Sequence, residues 1–293
     1  MSAPAADRTP RHHAQNDWAA QVHVYEPHVS GIPPVRQYLA EVWKRREFAY
    51  ELSRTQLRTQ QYGTVLGQLW LVLNPVLFGL VYFILVDIIR TGNREPDIIV
   101  HLLGGIFGYH LVSTSIREGA ISLTRSGRLI LNSSFPRMLL PLSAIISAFK
   151  QFLPTVPIYI ALHIGYGRPT NANSLWALLL ILYFVVLGTG LALFTAALQV
   201  YFRDLKSFLP YALRIMMFGA PILYLTSRVP DRWEWLFDVN PISRMLSAWE
   251  ECLYYGVTPT TRNLVVGAAW AVGSLIVGAL FFMSREREFA ARI

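Results

Sequence analysis

Residues 175–200 read LWALLLILYFVVLGTGLALFTAALQV, twenty-six positions without a single charge. At about 1.5 Å of rise per helical residue this run exceeds the roughly 30 Å hydrocarbon layer of a bilayer, which about 20 apolar residues cross. A buried strand is far shorter, and a helix on the surface of a soluble core keeps a polar face. The run therefore predicts a transmembrane helix.

Five more apolar stretches flank it, at residues 66–89, 98–116, 138–163, 208–225 and 264–283. The weakest are 98–116, which holds His101 and His110, and 208–225, which holds Arg214. Charges crowd the first 65 positions, the linkers and the last nine. The mean hydropathy is +0.37 and only 15% of residues are charged, against about 25% in soluble domains. A single soluble core is excluded, and the expected class is an all-α polytopic membrane protein of six spans. Cys252 stands alone, so no intrachain disulfide and no cysteine-based metal site is available.

An even number of spans puts both ends on one side. On that side lie eight cations in residues 1–65, four in 117–137, two in 201–207 and three in 284–293, which is seventeen; the other side holds seven. Cytoplasmic loops collect Lys and Arg, so both termini are expected in the cytoplasm of a multi-pass inner-membrane protein. The net charge of +8 is thereby a matter of topology, and nucleic acid is not an expected partner. No apolar stretch of signal-peptide length precedes Leu66.

Residues 1–34 are mixed, without periodicity, and are expected to form a flexible cytoplasmic tail. From 35 to 62 an amphipathic interface helix is expected. Val35, Tyr38, Leu39, Val42 and Trp43 make one stripe, with Glu41, Lys44 and Arg45 opposite. Such a stripe suits the acyl boundary of a membrane or a protein surface. The six spans then occupy 63–293.

A P-loop needs Gly-Lys followed by Ser or Thr. The three lysines, Lys44, Lys150 and Lys206, follow Trp43, Phe149 and Leu205. This chain therefore carries no site for nucleotide hydrolysis of that kind. A membrane-embedded enzyme needs a nucleophile with its base, a carboxylate pair or a metal cluster at depth. The ionisable residues within the spans, Asp87, His101, His110, Lys150, His163 and Arg214, are scattered, and each suits snorkelling or a structural pair as well as a function.

Four motifs point further. LRTQQYGTVLGQLW at 57–70, followed by Asn74-Pro75, joins a basic juxtamembrane helix to an interfacial Trp and an early Pro. Phe135-Pro136-Arg137 with Leu140-Pro141 marks a broken approach to the third span, because a residue before Pro avoids the helical region. Tyr201-Phe202-Arg203-Asp204-Leu205 forms a short linker, and Pro221-Ile222-Leu223-Tyr224 precedes Asn240-Pro241-Ile242. Together, in this order, they resemble the permease subunits of type-2 ABC exporters, in the branch that moves O-antigen, teichoic acid and related polysaccharides. The resemblance runs from about residue 36 onward.

That resemblance implies a type-2 ABC exporter fold and a transport subunit rather than an enzyme. It implies pairing with a second copy and with two copies of a separate ATP-binding subunit, which binds the ATP and Mg; no cofactor is expected in this chain. Coupling to that subunit is expected at 117–134, through Arg117, Glu118, Arg125 and Arg128, assisted by Arg203 and Asp204 and by Glu51, Arg54 and Arg58. The expected substrate is a lipid-linked polysaccharide. Its path would run past Phe78, Tyr82 and Phe83 of the first span and Tyr211, Phe218 and Tyr224 of the fifth. Lipid-facing bulk or an interfacial belt is an equal reading of each of these aromatics. The external loop 226–262 holds Trp233, Trp235, Phe237 and Trp249, expected as an exit gate or as interfacial anchors. Arg outnumbers Lys by 23 to 3, which fits a GC-rich actinobacterial genome and makes the galactan precursor of an arabinogalactan wall, as in mycobacteria, the expected cargo. A permease of the same superfamily for a drug or small lipid is the alternative, and a membrane enzyme acting on lipid-linked sugars is a remote one.

Overall fold

The computed structural model describes residues 34–61, 64–89, 98–168 and 170–293. The expected tail, 1–34, lies outside the described residues except for Pro34. Every regular element among the described residues is helical.

The expected interface helix is two helices, α1 (Val35–Lys44) and α2 (Arg46–Gln61), separated at Arg45. Their apolar stripe divides. Val42 and Ala49 are buried with Leu139 and Phe282, whereas Val35, Leu39 and Trp43 face outward, Trp43 being 70% exposed. The pair thus rests on protein with one edge and leaves a second apolar edge free.

Gly67, at φ +48°, turns the chain into α3 (Trp70–Ile89). That left-handed backbone is costly for residues with a Cβ. Pro75 lies in the second turn of α3. The next helix, α4 (Ile98–Arg125), runs well past the expected limit of 116. Charges at Arg117 and Glu118 mark where membrane burial ends, but nothing there stops a helix. α5 (Gly127–Asn132) follows at once.

The third stretch is broken. α6 (Leu139–Phe152) and α7 (Thr155–Gly165) meet at Leu153 and Pro154, because Pro lacks the N–H that would continue the ladder. α8 (Trp176–Tyr201) is unbroken, as residues 175–200 require. The fifth stretch departs from expectation. α9 (Leu205–Phe218) has fourteen residues and the chain leaves the helix at Gly219, so 208–225 is not one spanning helix. The short helices α10 (Trp235–Val239) and α11 (Ser243–Trp249) follow, then a wide π-turn, Glu250–Tyr254. α12 (Thr261–Arg285) and α13 (Phe289–Arg292) complete the chain.

Four helical segments among the described residues are long and apolar enough to cross a membrane: α4, α6 with α7, α8, and α12 with its continuation. α4 is the central post, with nearly all of its apolar portion buried. α8 lies against it, where Gly119 faces Ala192 and Gly188 faces Ser115, and α12 lies against α8. Small residues at these crossings bring backbones close, the means by which helices associate where no water drives them together.

Candidate functional site

Of the segments expected to couple to a partner, the end of α4, α5 and the turn after α8 meet around Ile293, whereas 51–58 of α2 runs beside Ser147 and Lys150 of α6. Arg117 lies exposed on α4, its guanidinium 3.5 Å from the Thr114 hydroxyl. Glu118 accepts from Arg125 at 3.1 Å, two turns further along the same face. Arg128 lies exposed on α5. Arg203 and Asp204 occupy the turn between α8 and α9, both exposed. Glu51 and Arg54 stand 3.8 Å apart on α2, with Arg58 one turn on, all exposed. Glu51 borders a separate hollow of about 460 Å³ with Arg46, Tyr50 and Ile146.

Lys150, placed by its sequence inside the third span, donates to Ser53 Oγ at 2.8 Å and lies 3.6 Å above the Tyr50 ring. Both partners belong to α2, so this lysine has a structural pairing. His110 is partly buried with Thr114 Oγ1 3.4 Å from its Nε2, and His163 stands beside the Tyr159 ring. His101 meets Tyr254 edge-on at 5.6 Å, and Arg214 is exposed on α9. Asp87 falls in α3, with its side chain outside those described. No group of three metal-ligating side chains occurs among the described residues.

Of the aromatics expected to line a path, three form one strip. Phe78 and Tyr82 meet edge-on at 4.7 Å along α3, and Tyr82 meets Phe218 of α9 at 6.5 Å. Phe78 and Phe218 are 43% and 47% exposed, so the strip is open to its surroundings. Tyr211 is also exposed on α9, while Phe83 packs toward Ile98, Leu225 and Tyr254. Tyr224 stacks on Phe237 at 6.4 Å.

The loop aromatics divide in the same way. Trp233 and Trp235 are about half exposed, but Phe237 and Trp249 are interior residues, 2% and 7% exposed. Trp249 packs between Tyr159 and Phe184, against Gly104. All seven residues of α11 are buried.

Three arrangements were not visible in the sequence. The freed carbonyls at the end of α9, which any helix must satisfy, are taken from outside: Asn240 Nδ2 donates to Met216 O at 2.8 Å and Ser243 Oγ to Gly219 O at 3.2 Å. Arg244, buried at 5%, donates to Asp238 at 2.7 Å and Glu234 at 3.2 Å, and exposed Arg262 binds the same two carboxylates at 2.6 and 2.7 Å. The Arg244 hydrogen bond, above all, holds the Asp238 carboxyl below its usual range. Glu250, 2% exposed, accepts from the Thr226 N–H and, at 2.7 Å, from its hydroxyl; burial pushes its carboxyl up to about 7.

Residues 48–254 match the ABC-2 type transporter family. The chain belongs to that family. Proteins named O-antigen export system permease protein RfbA are similar to it over most of their length. One from Klebsiella pneumoniae is 28% identical over 242 residues, covering 82% of this chain and 92% of the relative. Another, from Myxococcus xanthus, is 27% identical over 255 residues, covering 86% and 98%. Membership of this family and the long apolar helices make the chain a multi-pass membrane protein of the ABC-2 transporter type. α2 through the π-turn at Tyr254 fall almost wholly within the family match.

Proposed function

We propose that this ABC-2 permease is the membrane half of an ATP-driven exporter of a lipid-linked polysaccharide. The observation that carries the reading is the likeness to O-antigen export permeases over 82% of the chain. Two copies pair, and two copies of a separate ATP-binding subunit dock at the Arg-rich end. The absence of a Gly-Lys motif supports placing hydrolysis on that partner.

Six crossings are proposed, made by α3, α4, α6 with α7, α8, α9 with 219–225, and α12. The fourteen residues of α9 reach only about 21 Å, and the buried α11 fills the remaining depth beside them. The excess of cations on one side supports cytoplasmic termini in the inner membrane. The strip of Phe78, Tyr82 and Phe218 supports a path at α3 and α9, since aromatic faces stack on sugar rings with little demand on their sequence. Trp233 and Trp235 are the gate residues of the opposite end, with Phe237 and Trp249 as their anchors.

For the cargo we propose a wall glycan on a lipid carrier, with the galactan precursor first in line on the Arg bias and the 286–293 tail. Depleting the chain in its own cell and following radiolabelled lipid-linked glycans tests the reading. The cargo accumulates on the cytoplasmic side if it holds; no accumulation of any glycan, with a drug or short lipid retained instead, overturns it.

A further inference from the structure

A slot of about 290 Å³ opens between α7 and α8, with a surface almost wholly of carbon. Buried Phe107 of α4, Phe152 of α6, Trp249 of α11 and Leu253 of the π-turn make its inner wall. Its rims are Ile160 and Ile164 on α7 and Leu175 and Leu178 at the start of α8, each between 51% and 68% exposed. Both rims belong to segments long and apolar enough to cross a membrane, so the slot opens sideways into hydrocarbon. A cavity lined by carbon stays dry and takes apolar molecules.

Its length points to one kind of occupant. Along α7 the slot runs from Thr155 to Ile164, which at about 1.5 Å per residue gives about 14 Å. Half of a roughly 30 Å hydrocarbon layer is about 15 Å, so the slot has the depth of one leaflet. At the deep end Thr155 is buried and donates its hydroxyl to the Phe152 carbonyl at 2.7 Å. The polar lining residues that are not buried, Thr170 and Ser174, lie together at the other end. Ser174 Oγ, shut off from solvent, has no hydrogen-bond partner among the described residues. Arg168 stands at the same end: its N–H donates to the His163 carbonyl at 3.0 Å, and its guanidinium lies 3.7 Å over the Tyr254 ring, next to Leu253 of the inner wall. The loop above is pinned, since the Asn171 and Asn173 amides donate to the Gly256 carbonyl at 2.7 and 2.8 Å.

We propose that this slot binds one acyl chain of a bilayer phospholipid, from the leaflet at the 166–175 end, with an ester oxygen at Ser174 and the phosphate toward Arg168. Under cytoplasmic termini this is the outer leaflet. The site shares no residue with the strip of Phe78, Tyr82 and Phe218, and it depends neither on the cargo nor on an ATP-binding subunit. Because Trp249 and Leu253 form the inner wall, the bound chain packs against the same segment that carries the outer loop, and it serves as a fitted part of the fold.

The test uses the full chain, delipidated in detergent, with phosphatidylglycerol as the probe. Binding is measured for wild type, for Ala177→Trp, which fills the slot, and for Val265→Trp, which adds the same ring to an exposed position of α12. The expected result is one phospholipid bound per chain in wild type and Val265→Trp, and at least tenfold weaker binding in Ala177→Trp at a retained melting temperature. Wild-type affinity in Ala177→Trp overturns the proposal. Chain length supplies a second measurement on the wild-type protein, which decides even where Ala177→Trp does not fold. Affinity is expected to tighten by about fourfold per buried methylene until the chain fills the slot, and then to level off. A rise that continues to the longest chains shows adsorption to the outer surface of the helices and overturns the slot. Polyprenyl phosphate at equal concentration is expected to leave the phospholipid in place. Its displacement by that lipid assigns the slot to an isoprenoid carrier and overturns the phospholipid assignment.

Discussion

Gly190 of α8 and Gly278 of α12 meet backbone to backbone: a Cβ on Gly278 would overlap the Gly190 carbonyl, and one on Gly190 would overlap the chain at Ser274 and Leu275. No flexible side chain stands between them to give way. The two most apolar of the long helices therefore pack at a distance only glycine permits, the arrangement that serves association where lipid replaces water.

Gly190→Ala or Gly278→Ala is expected to destabilise the fold by about 1–3 kcal/mol, the usual cost of overpacking. Gly273→Ala is the control. Nothing lies within 4 Å of a Cβ there, and alanine favours a helix by about 1 kcal/mol over glycine. Thermal melts of the detergent-solubilised chain should separate the pair from the control, and equal melting temperatures for all three would show that α8 and α12 do not meet here.

Arg244 and Arg262 share Glu234 and Asp238 but differ in depth. Arg262 is half exposed and its pairs are screened by solvent, so Arg262→Ala should cost little. Arg244 is 5% exposed and also binds Asn263 at 3.3 Å. Arg244→Ala should cost more, since it empties a buried position and removes the bond to buried Asn263. Denaturation of both variants side by side checks the order, which reverses if the loop is held by its outer pair.

Glu250 gives the loop a pH response. Its buried carboxyl titrates near 7, above the usual carboxylate range, so the folded chain holds this proton more tightly than the unfolded chain does. Stability is then greatest at acid pH and falls as pH rises from about 4.5 to about 7. The facing groups are Thr226, Ser247 and Tyr255, with Glu251 adding a like charge that raises the value further. Glu250→Gln should flatten the dependence of melting temperature on pH between 5 and 8. A slope unchanged in that variant assigns the response to another group.

Length and order are legible along the chain. Apolar runs of twenty residues or more leave few options, so α8 and α12 fall where their runs do. The four short motifs, taken in their order, carry the resemblance to the family. Where the outcome depends on partners distant in sequence, that legibility ends. α9 stops at Phe218 because Asn240 and Ser243, more than twenty residues away, hold its last carbonyls. Phe237 and Trp249 look like their exposed neighbours Trp233 and Trp235, and only packing separates them. α4 runs past its expected end because a helix need not stop where membrane burial does. Pro154 breaks the third stretch, yet the apolar residues on both sides of it hide the proline within one continuous run.

Phe78, Tyr82 and Phe218 give the proposed path its sharpest test. Edge-on contacts at 4.7 and 6.5 Å tie the three rings into one exposed strip across two helices, so replacing any one leaves the others in place. Each ring is worth about 1 kcal/mol beyond its buried area, and Phe78→Ala or Phe218→Ala should fold. If sugar rings pass over the strip, polymer export falls severalfold in these variants while the partner's ATP hydrolysis continues. Replacing Phe83, which faces Ile98, Leu225 and Tyr254, should instead lower stability without a selective loss of export. Export equal to wild type in the Phe78→Ala and Phe218→Ala double variant would leave the strip to lipid, and the path must then lie elsewhere.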